Sequence, residues 1–397
     1  MDIHALRVID ERSQYWLDLL RDWCAINSGS HHLPGLATMA DALADEFGAF
    51  GEVRRIDLPP TTQIESNGEE KAAPLGQALS IVRRPEAAIR ALLVIHYDTV
   101  YGKENPFQQV TVLPDGRWNG PGVVDAKGGI VVMLAALHAL EASPAAKNIG
   151  WEVILNPDEE IGSPGSVGLL EEAAERNQFG LLFEPALPDG WLVGERKGSG
   201  NLTIVVRGKA AHAGRDFAAG RSAVVALAKL IVHAAETSGG ITLNCGQISG
   251  GGAVNIVPEL AIGRFNARIS KKEEAQRVVD LLQELIAEAN EQDGITATLH
   301  GSFSSPPKAL DAASLALFEA ARDCGRQLGM EVNWRSSGGT CDGNRLAAAG
   351  LPVIDTMGPV GGDLHSRSEY LIPQSIAERA KLTALLLIKA ATEAGRR

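Results

Sequence analysis

ALLVIHYDTV, residues 91–100, decides the fold. Residues 91–95 form a continuous apolar run, the pattern of a strand buried on both faces, and such strands belong to sheets covered by helices on each side. Working outward, residues 128–140 are apolar and Ala-rich and read as a helix. WEVIL (151–155), FGLLF (179–183) and LPVI (351–354, after a helical stretch) read as further buried strands. Residues 6–29 and 36–48 read as amphipathic helices. Strands alternating with helices predict an α/β unit with a mostly parallel sheet flanked by helices.

A different rhythm runs from about residue 198 to 305. NLTIVVRG (201–208) alternates like a strand and RSAVVALAKLIVHAAE (221–236) is helical. ITLNCGQIS and LAIGRFNARI read as strands, KEEAQRVVDLLQELIAEANEQ (272–292) as a helix, and ITATLHG as a closing strand. The order β-α-β-β-α-β is that of the ferredoxin-like unit. Because the α/β pattern resumes afterwards, it reads as an insertion. The expected organisation is a catalytic domain of residues 1–197 and 306–397, with an inserted α+β domain at 198–305. A length of 397 residues agrees with two cores rather than one.

Composition narrows the function. Apolar residues make up 45% of the chain and the net charge is −12, with no basic stripe, which argues against nucleic-acid binding. Cys24, Cys245, Cys324 and Cys341 are far apart and form no CxxC pair, so inert thiols in a reducing compartment are expected. The N-terminal stretch has acidic residues and lacks the apolar core of a signal peptide. No apolar run reaches the roughly 18 residues of a membrane helix. A soluble, cytoplasmic protein is the expectation.

Polar groups stand where the apolar strands stop. Ligands of open α/β sheets gather outside the carboxyl ends of the strands. His96 and Asp98 are two apart, so both side chains face one way on an extended chain, as an imidazole ligand and its orienting carboxylate would. Read alone, His96 is equally a buried histidine bonded to a backbone carbonyl. In WNGPGVVDAKGG (118–129), glycines surround Asp125 just before a helix. A carboxylate there could bridge two cations, while the plainer reading is a helix N-cap. NPDEEIGS (156–163) sets three acidic residues in a row after a buried strand, a repulsion that a cation would relieve. Glu184 ends the run LLFEP, and His365 lies in the Gly-rich GGDLHS (361–366). Two histidines and three carboxylates, with no cysteine, suit Zn²⁺, Mn²⁺ or Co²⁺.

HYDTVYG, GPGVVDAKGG, DEEIGS, FEP, GKAAHAG, GGAVNIVP and GGDLHS, in this order, resemble the M20 metallopeptidases, with the glutamate carboxypeptidase (carboxypeptidase G) branch as the nearest likeness. The resemblance runs from residues 27–30 to His365 and beyond. It implies two divalent ions, zinc foremost, bridged by Asp125. His96 and Glu184 would complete one site; Glu160 and His365 would complete the other. It further implies Glu159 as general base, Asp98 orienting His96, and a cis peptide after Asp125. The insertion would be a lid and dimerisation domain. His212 would stabilise the oxyanion from a second copy of the chain. Asn255 and Arg268 would hold the substrate, with Arg268 on its terminal carboxylate.

The implied activity is release of a C-terminal amino acid from a small peptide or N-acyl amino acid. Two departures touch the side chain preferred. The return from the insertion, GSFSSPP (301–307), has no basic residue before Lys308, and after Glu184 the basic position of glutamate-specific members is replaced by Gly190 or Trp191. Lys197 could compensate, and Cys341 stands where a Thr is usual. An N-acyl-amino-acid deacylase of the acetylornithine or succinyl-diaminopimelate type is the alternative enzyme. A non-catalytic binding protein on the same scaffold would require loss of Glu159 or a ligand, and every one of these residues is present.

Overall fold

The computed structural model describes residues 3–396; residues 1, 2 and 397, read above as part of the catalytic domain, lie outside the described residues. The central sheet has six strands in the order Val53–Asp57, Gln77–Arg83, Gly150–Asn156, Arg90–His96, Phe179–Leu182 and Val353–Ile354. The last four of these pair in parallel. The first two pair antiparallel and make the sheet mixed at one side. This edge escaped the sequence reading because VRRID is mostly exposed and polar, so it lacks the apolar run that marks the central strands.

Helix Lys127–Ala142 is buried along nearly its whole length and packs against Gln374–Ala394 and Ser13–Ala25 in the main core. Its N-terminus approaches the sheet closely. A Cβ on Gly129 would lie 2.0 Å from the Phe183 carbonyl oxygen, so only glycine fits there. The helix expected over 6–29 is two helices, Arg7–Glu11 and Ser13–Ala25, and the chain is extended at Ile26. The early stop has a cause: the buried Lys127 ammonium takes the Trp23 and Ile26 carbonyls at 3.0 and 2.7 Å, satisfying that helix end.

The second sheet is antiparallel, in the order Thr242–Gly250, Leu260–Ile269, Gly198–Arg207, Thr296–Ser305. With helices Ala223–Thr237 and Glu273–Asn290 it has the ferredoxin-like arrangement and an apolar cluster of its own, including Leu202, Phe265 and Leu282. The chain enters and leaves this unit at one point. Arg196 and Lys308 exchange backbone hydrogen bonds of 2.9 and 3.0 Å across the two crossings. Both side chains end on the fully buried Asp355 carboxylate, at 2.8 and 2.7 Å. Asn344 adds hydrogen bonds to the Lys197 and Pro306 carbonyls.

Candidate metal centre

Three neighbouring parallel strands place their carboxyl ends side by side, which is why residues far apart in sequence meet. His96 ends Arg90–His96, Glu159 and Glu160 follow Gly150–Asn156, and Glu184 follows Phe179–Leu182. Asp125 arrives from the turn before helix Lys127–Ala142. That helix has Ala126 at its N-cap position and no side-chain cap, so Asp125 is not capping it. The Asp125–Ala126 peptide is cis, as the family resemblance implies. His365 comes from the loop beyond Gly361–Gly362, with φ of 58°.

The Asp125 carboxylate lies at the centre. One oxygen is 3.2 Å from His96 Nε2 and the other 3.3 Å from His365 Nε2. Glu184 stands on the His96 side at 3.8 Å, and Glu160 on the His365 side at 3.2 Å. Potential ligand atoms of His96, Asp125 and Glu160 all lie within 4.8 Å of one another. The Glu160 Oε1 atom is buried without a hydrogen-bond partner. An orphaned, buried acceptor amid carboxylates and imidazoles is the environment a divalent cation satisfies, so the residues fit such a group.

The electrostatics point the same way. Burial, with Glu184 next, pushes the Glu159 carboxyl well above its ordinary range. Burial and Asp125 push Glu160 up to about 7. Burial also raises Glu184. Burial alone would raise Asp125 too, but its contacts with His365 and His96 outweigh this and hold it low. The same contacts, to Asp125 and Glu160, push His365 up to about 11. Carboxylates crowded out of water in this way retain protons unless positive charge is supplied.

Asp98 is fully buried and ties two loops together. His96 Nδ1 lies 3.1 Å from its carbonyl and 3.3 Å from its carboxylate. That carboxylate also accepts from Ser30 Oγ at 2.6 Å and from the Glu159 and Glu160 backbone amides at 3.2 and 3.3 Å. Asp158 turns away from the centre to accept from Gly165, Ser166 and the Ser166 hydroxyl, which pins its loop. The acidic run thus divides, with Glu159 and Glu160 lining the cavity.

Arg268, on the second sheet, touches one residue of the cavity lining: its Nη1 donates to Thr340 Oγ1 at 3.3 Å, and its Nε donates to Asn266 at 2.9 Å. Among the described residues no carboxylate pairs with it. His212 and Asn255 are not brought to the carboxylates within this chain. Both are exposed and lie on adjoining segments of the inserted unit. His212 bridges Ile256 and its Nδ1 accepts from Gly214, while the Asn255 carbonyl accepts from Ala213. Lys197 faces the cleft at the chain crossings, not the metal cavity. Cys24, Cys324 and Cys341 are buried, Cys245 is partly so, and all four are free thiols.

Glu369 was not foreseen. It is fully buried and its carboxylate accepts from the Gly122, Val124 and Asp125 amides at 3.3, 3.1 and 3.2 Å and from the Tyr101 hydroxyl at 2.7 Å. It thereby fixes the turn that carries Asp125. Its partners lie more than 240 residues earlier, so no spacing signal could reveal them.

The sequence model of the peptidase family M20/M25/M40 matches residues 92–389. Carboxypeptidase G2 of Pseudomonas sp. (strain RS-16) is 30% identical over 312 residues, covering 75% of this chain and 73% of that protein. A succinyl-diaminopimelate desuccinylase of Stutzerimonas stutzeri is 27% identical over 290 residues, covering 69% and 74%. Among solved structures, a Bacillus subtilis protein described as a dinuclear metal-binding peptidase of the M20 family superposes with a TM-score of 0.65 at 17% identity, over 96% of this chain and 99% of that one.

Proposed function

The chain belongs to peptidase family M20/M25/M40 and is a hydrolytic enzyme of the metallopeptidase type; within that family we propose that it is a two-metal hydrolase that frees a C-terminal amino acid from a small peptide or N-acyl amino acid. The observation that carries this reading is the placement of His96 and His365 on opposite oxygens of Asp125, with Glu184 beside one and Glu160 beside the other. His96, Asp125 and Glu184 would hold one cation; Asp125, Glu160 and His365 would hold the second. The oxygen and imidazole donors suit zinc, with manganese or cobalt as substitutes. When bound, such ions supply Lewis-acid polarisation of the scissile carbonyl and acidify water.

The chain's own residues do the rest. Glu159, held by its backbone to Asp98, takes a proton on its carboxylate from the attacking water and returns it to the leaving amine nitrogen. Asp98 positions the His96 ring and the Glu159–Glu160 backbone together. Arg268, desolvated and free of a carboxylate, grips the substrate's terminal carboxylate with its planar fork.

The inserted unit, residues 198–305, serves as lid and as dimer contact. Val225 and Val232 of helix Ala223–Thr237 are 54% and 57% exposed, and Ile248 on the edge strand Thr242–Gly250 is 61% exposed. Exposed apolar side chains on this helix and on an open sheet edge suit a second copy of the chain. That copy would bring His212 to the developing oxyanion and Asn255 to the substrate, which this chain alone does not do. The similarity to a desuccinylase favours N-acyl amino acids as a second substrate group. The test is hydrolysis of a panel of dipeptides and N-acyl amino acids with added Zn²⁺, Mn²⁺ or Co²⁺. Cleavage should need metal and fall by about 10²–10⁴-fold in Glu159→Ala. A variant that keeps wild-type turnover would overturn the assignment of Glu159.

A further inference from the structure

A hairpin of the catalytic domain reaches the inserted unit. Thr61–Ile64 and Glu70–Ala73 pair antiparallel and project from between Val53–Asp57 and Gln77–Arg83, the two paired strands at one side of the central sheet. Its turn end touches three of the four strands of the second sheet. Arg207 Nη2 donates to the Asn67 carbonyl at 3.1 Å, Arg264 Nη2 donates to the Ile64 carbonyl at 2.8 Å, and His300 Nδ1 lies 2.8 Å from Glu70 Oε1. Gly68, with φ of 76°, presses on the sheet itself: a Cβ there would lie 2.8 Å from Val205 Cγ1 and 3.2 Å from Leu260 Cδ1. Side chains alternate along a strand. Leu202, Ile204 and Val206 face the helices of the inserted unit, in its apolar cluster, so Val205 faces away from them. Val205 and its register partner Ile262 are buried all the same, on the face where the hairpin docks.

These contacts lie far from the chain crossings. The strand Gly198–Arg207 starts at the crossing, and the hairpin docks beside its residues 203–207, about 15–30 Å along it at about 3.3 Å per residue. A tie at that distance opposes rotation of the inserted unit about Arg196 and Lys308 with a long lever arm. It is also lightly built. A two-stranded hairpin is marginal on its own. Its strands are mostly exposed, and no described residue of 61–73 belongs to an apolar core cluster. Water can replace each of its polar contacts at modest net cost. We propose that the hairpin is a releasable latch. Docked, it holds the inserted unit down on the catalytic domain; released, it frees the unit to swing about the crossings. Arg268 stands on the same face of the sheet, at the crossing end opposite Ser199, so release carries it away from Thr340. The latch is a property of the fold and does not depend on which substrate the metal centre takes.

The test places a thiol under the hairpin. Val205→Cys, in a Cys245→Ser background, sets the introduced thiol beneath Gly68, while Cys24, Cys324 and Cys341 are buried and report unfolding. Expected is slow reaction of the introduced thiol with an aromatic disulfide reagent. Adding Arg207→Met and Arg264→Met should speed it about tenfold or more, the factor that one to two lost hydrogen bonds supply. Small-angle X-ray scattering on Arg207→Met/Arg264→Met in the otherwise unaltered chain should give a larger radius of gyration than wild type. A reaction rate that the two substitutions leave unchanged overturns the latch. So does a faster rate with an unchanged radius, since the hairpin then lifts without freeing the unit. If Cys24 and Cys324 react as well, the variant has unfolded and the converse variant decides. Gly68→Cys with Val205→Cys puts two thiols within disulfide reach, and oxidation should shrink the radius of gyration relative to the reduced protein. An equal radius in both forms, or no disulfide formed, overturns the proposal.

Discussion

Glu369→Ala should weaken both the fold and the metal centre, by amounts that the hydrogen bonds foretell. The carboxylate serves the Gly122, Val124 and Asp125 amides and the Tyr101 hydroxyl, all at a fully buried position. Tyr101 has a second acceptor in the Ser366 carbonyl at 2.8 Å, so it is not orphaned. Three backbone donors are. A buried unsatisfied donor costs about 1–3 kcal/mol, and water entering the vacated space would recover part of it, leaving a loss of about 3–5 kcal/mol. Glu369→Gln should cost less, about 1–2 kcal/mol. Its amide oxygen can keep the Val124 and Asp125 donors, its NH₂ can donate to Tyr101, and only the long Gly122 contact is lost. Urea unfolding of the metal-free proteins measures both differences. Because the same carboxylate fixes the turn bearing Asp125, metal affinity measured by calorimetry should fall about 10–100-fold in Glu369→Ala. A Glu369→Ala protein within about 0.5 kcal/mol of wild type, or one with unchanged metal affinity, or a Gln variant as damaged as the Ala variant, would refute the reasoning.

Further predictions concern groups outside the catalytic cavity. Asp355→Asn leaves Arg196 and Lys308 buried without their carboxylate and should cost about 3–5 kcal/mol in thermal or urea unfolding. Lys308→Met, which leaves the Arg196–Asp355 pair intact, should cost less, and the reverse ranking would show that Asp355 is not the organising charge of the chain crossings. His138 sits between the Trp16 and Phe50 rings, at 5.6 and 4.9 Å between centroids, and burial, with Arg12 nearby, pushes it down to about 4. A histidine lowered on folding binds its proton more readily when unfolded, so its contribution is intact above about 6.5 and is lost as pH falls toward 4. The stability difference between His138→Gln and wild type should therefore change sign or shrink across that window and stay flat above pH 7; a difference independent of pH would count against the assignment.

Much of this was legible in the chain. Largely apolar runs located strands 91–95, 151–155 and 179–183, because a strand buried on both faces is mostly apolar, and Arg90–His96, Gly150–Asn156 and Phe179–Leu182 are those strands. The same runs end abruptly in His96, the Asp158–Glu160 triplet and Glu184, so the polar groups of the centre were marked by where hydrophobicity stops. The β-α-β-β-α-β rhythm of 198–305 likewise announced the ferredoxin-like sheet. Only tertiary structure decided what those polar groups do to one another. Which of Asp158, Glu159 and Glu160 turn inward depends on hydrogen bonds to Ser166, eight residues on in the same loop, and to Asp98, in a separate one. Glu369, Lys127 and Asp355 have no local signature, because each acts on backbone or charge brought from 47 to 268 residues away. The pairing of buried charges is of the same kind: Arg196 and Lys308 share the Asp355 carboxylate, which is brought to them from 159 and 47 residues away. Periodicity reports which residues are buried; pairing between buried charges is a property of three-dimensional distance, and a sequence carries it only implicitly.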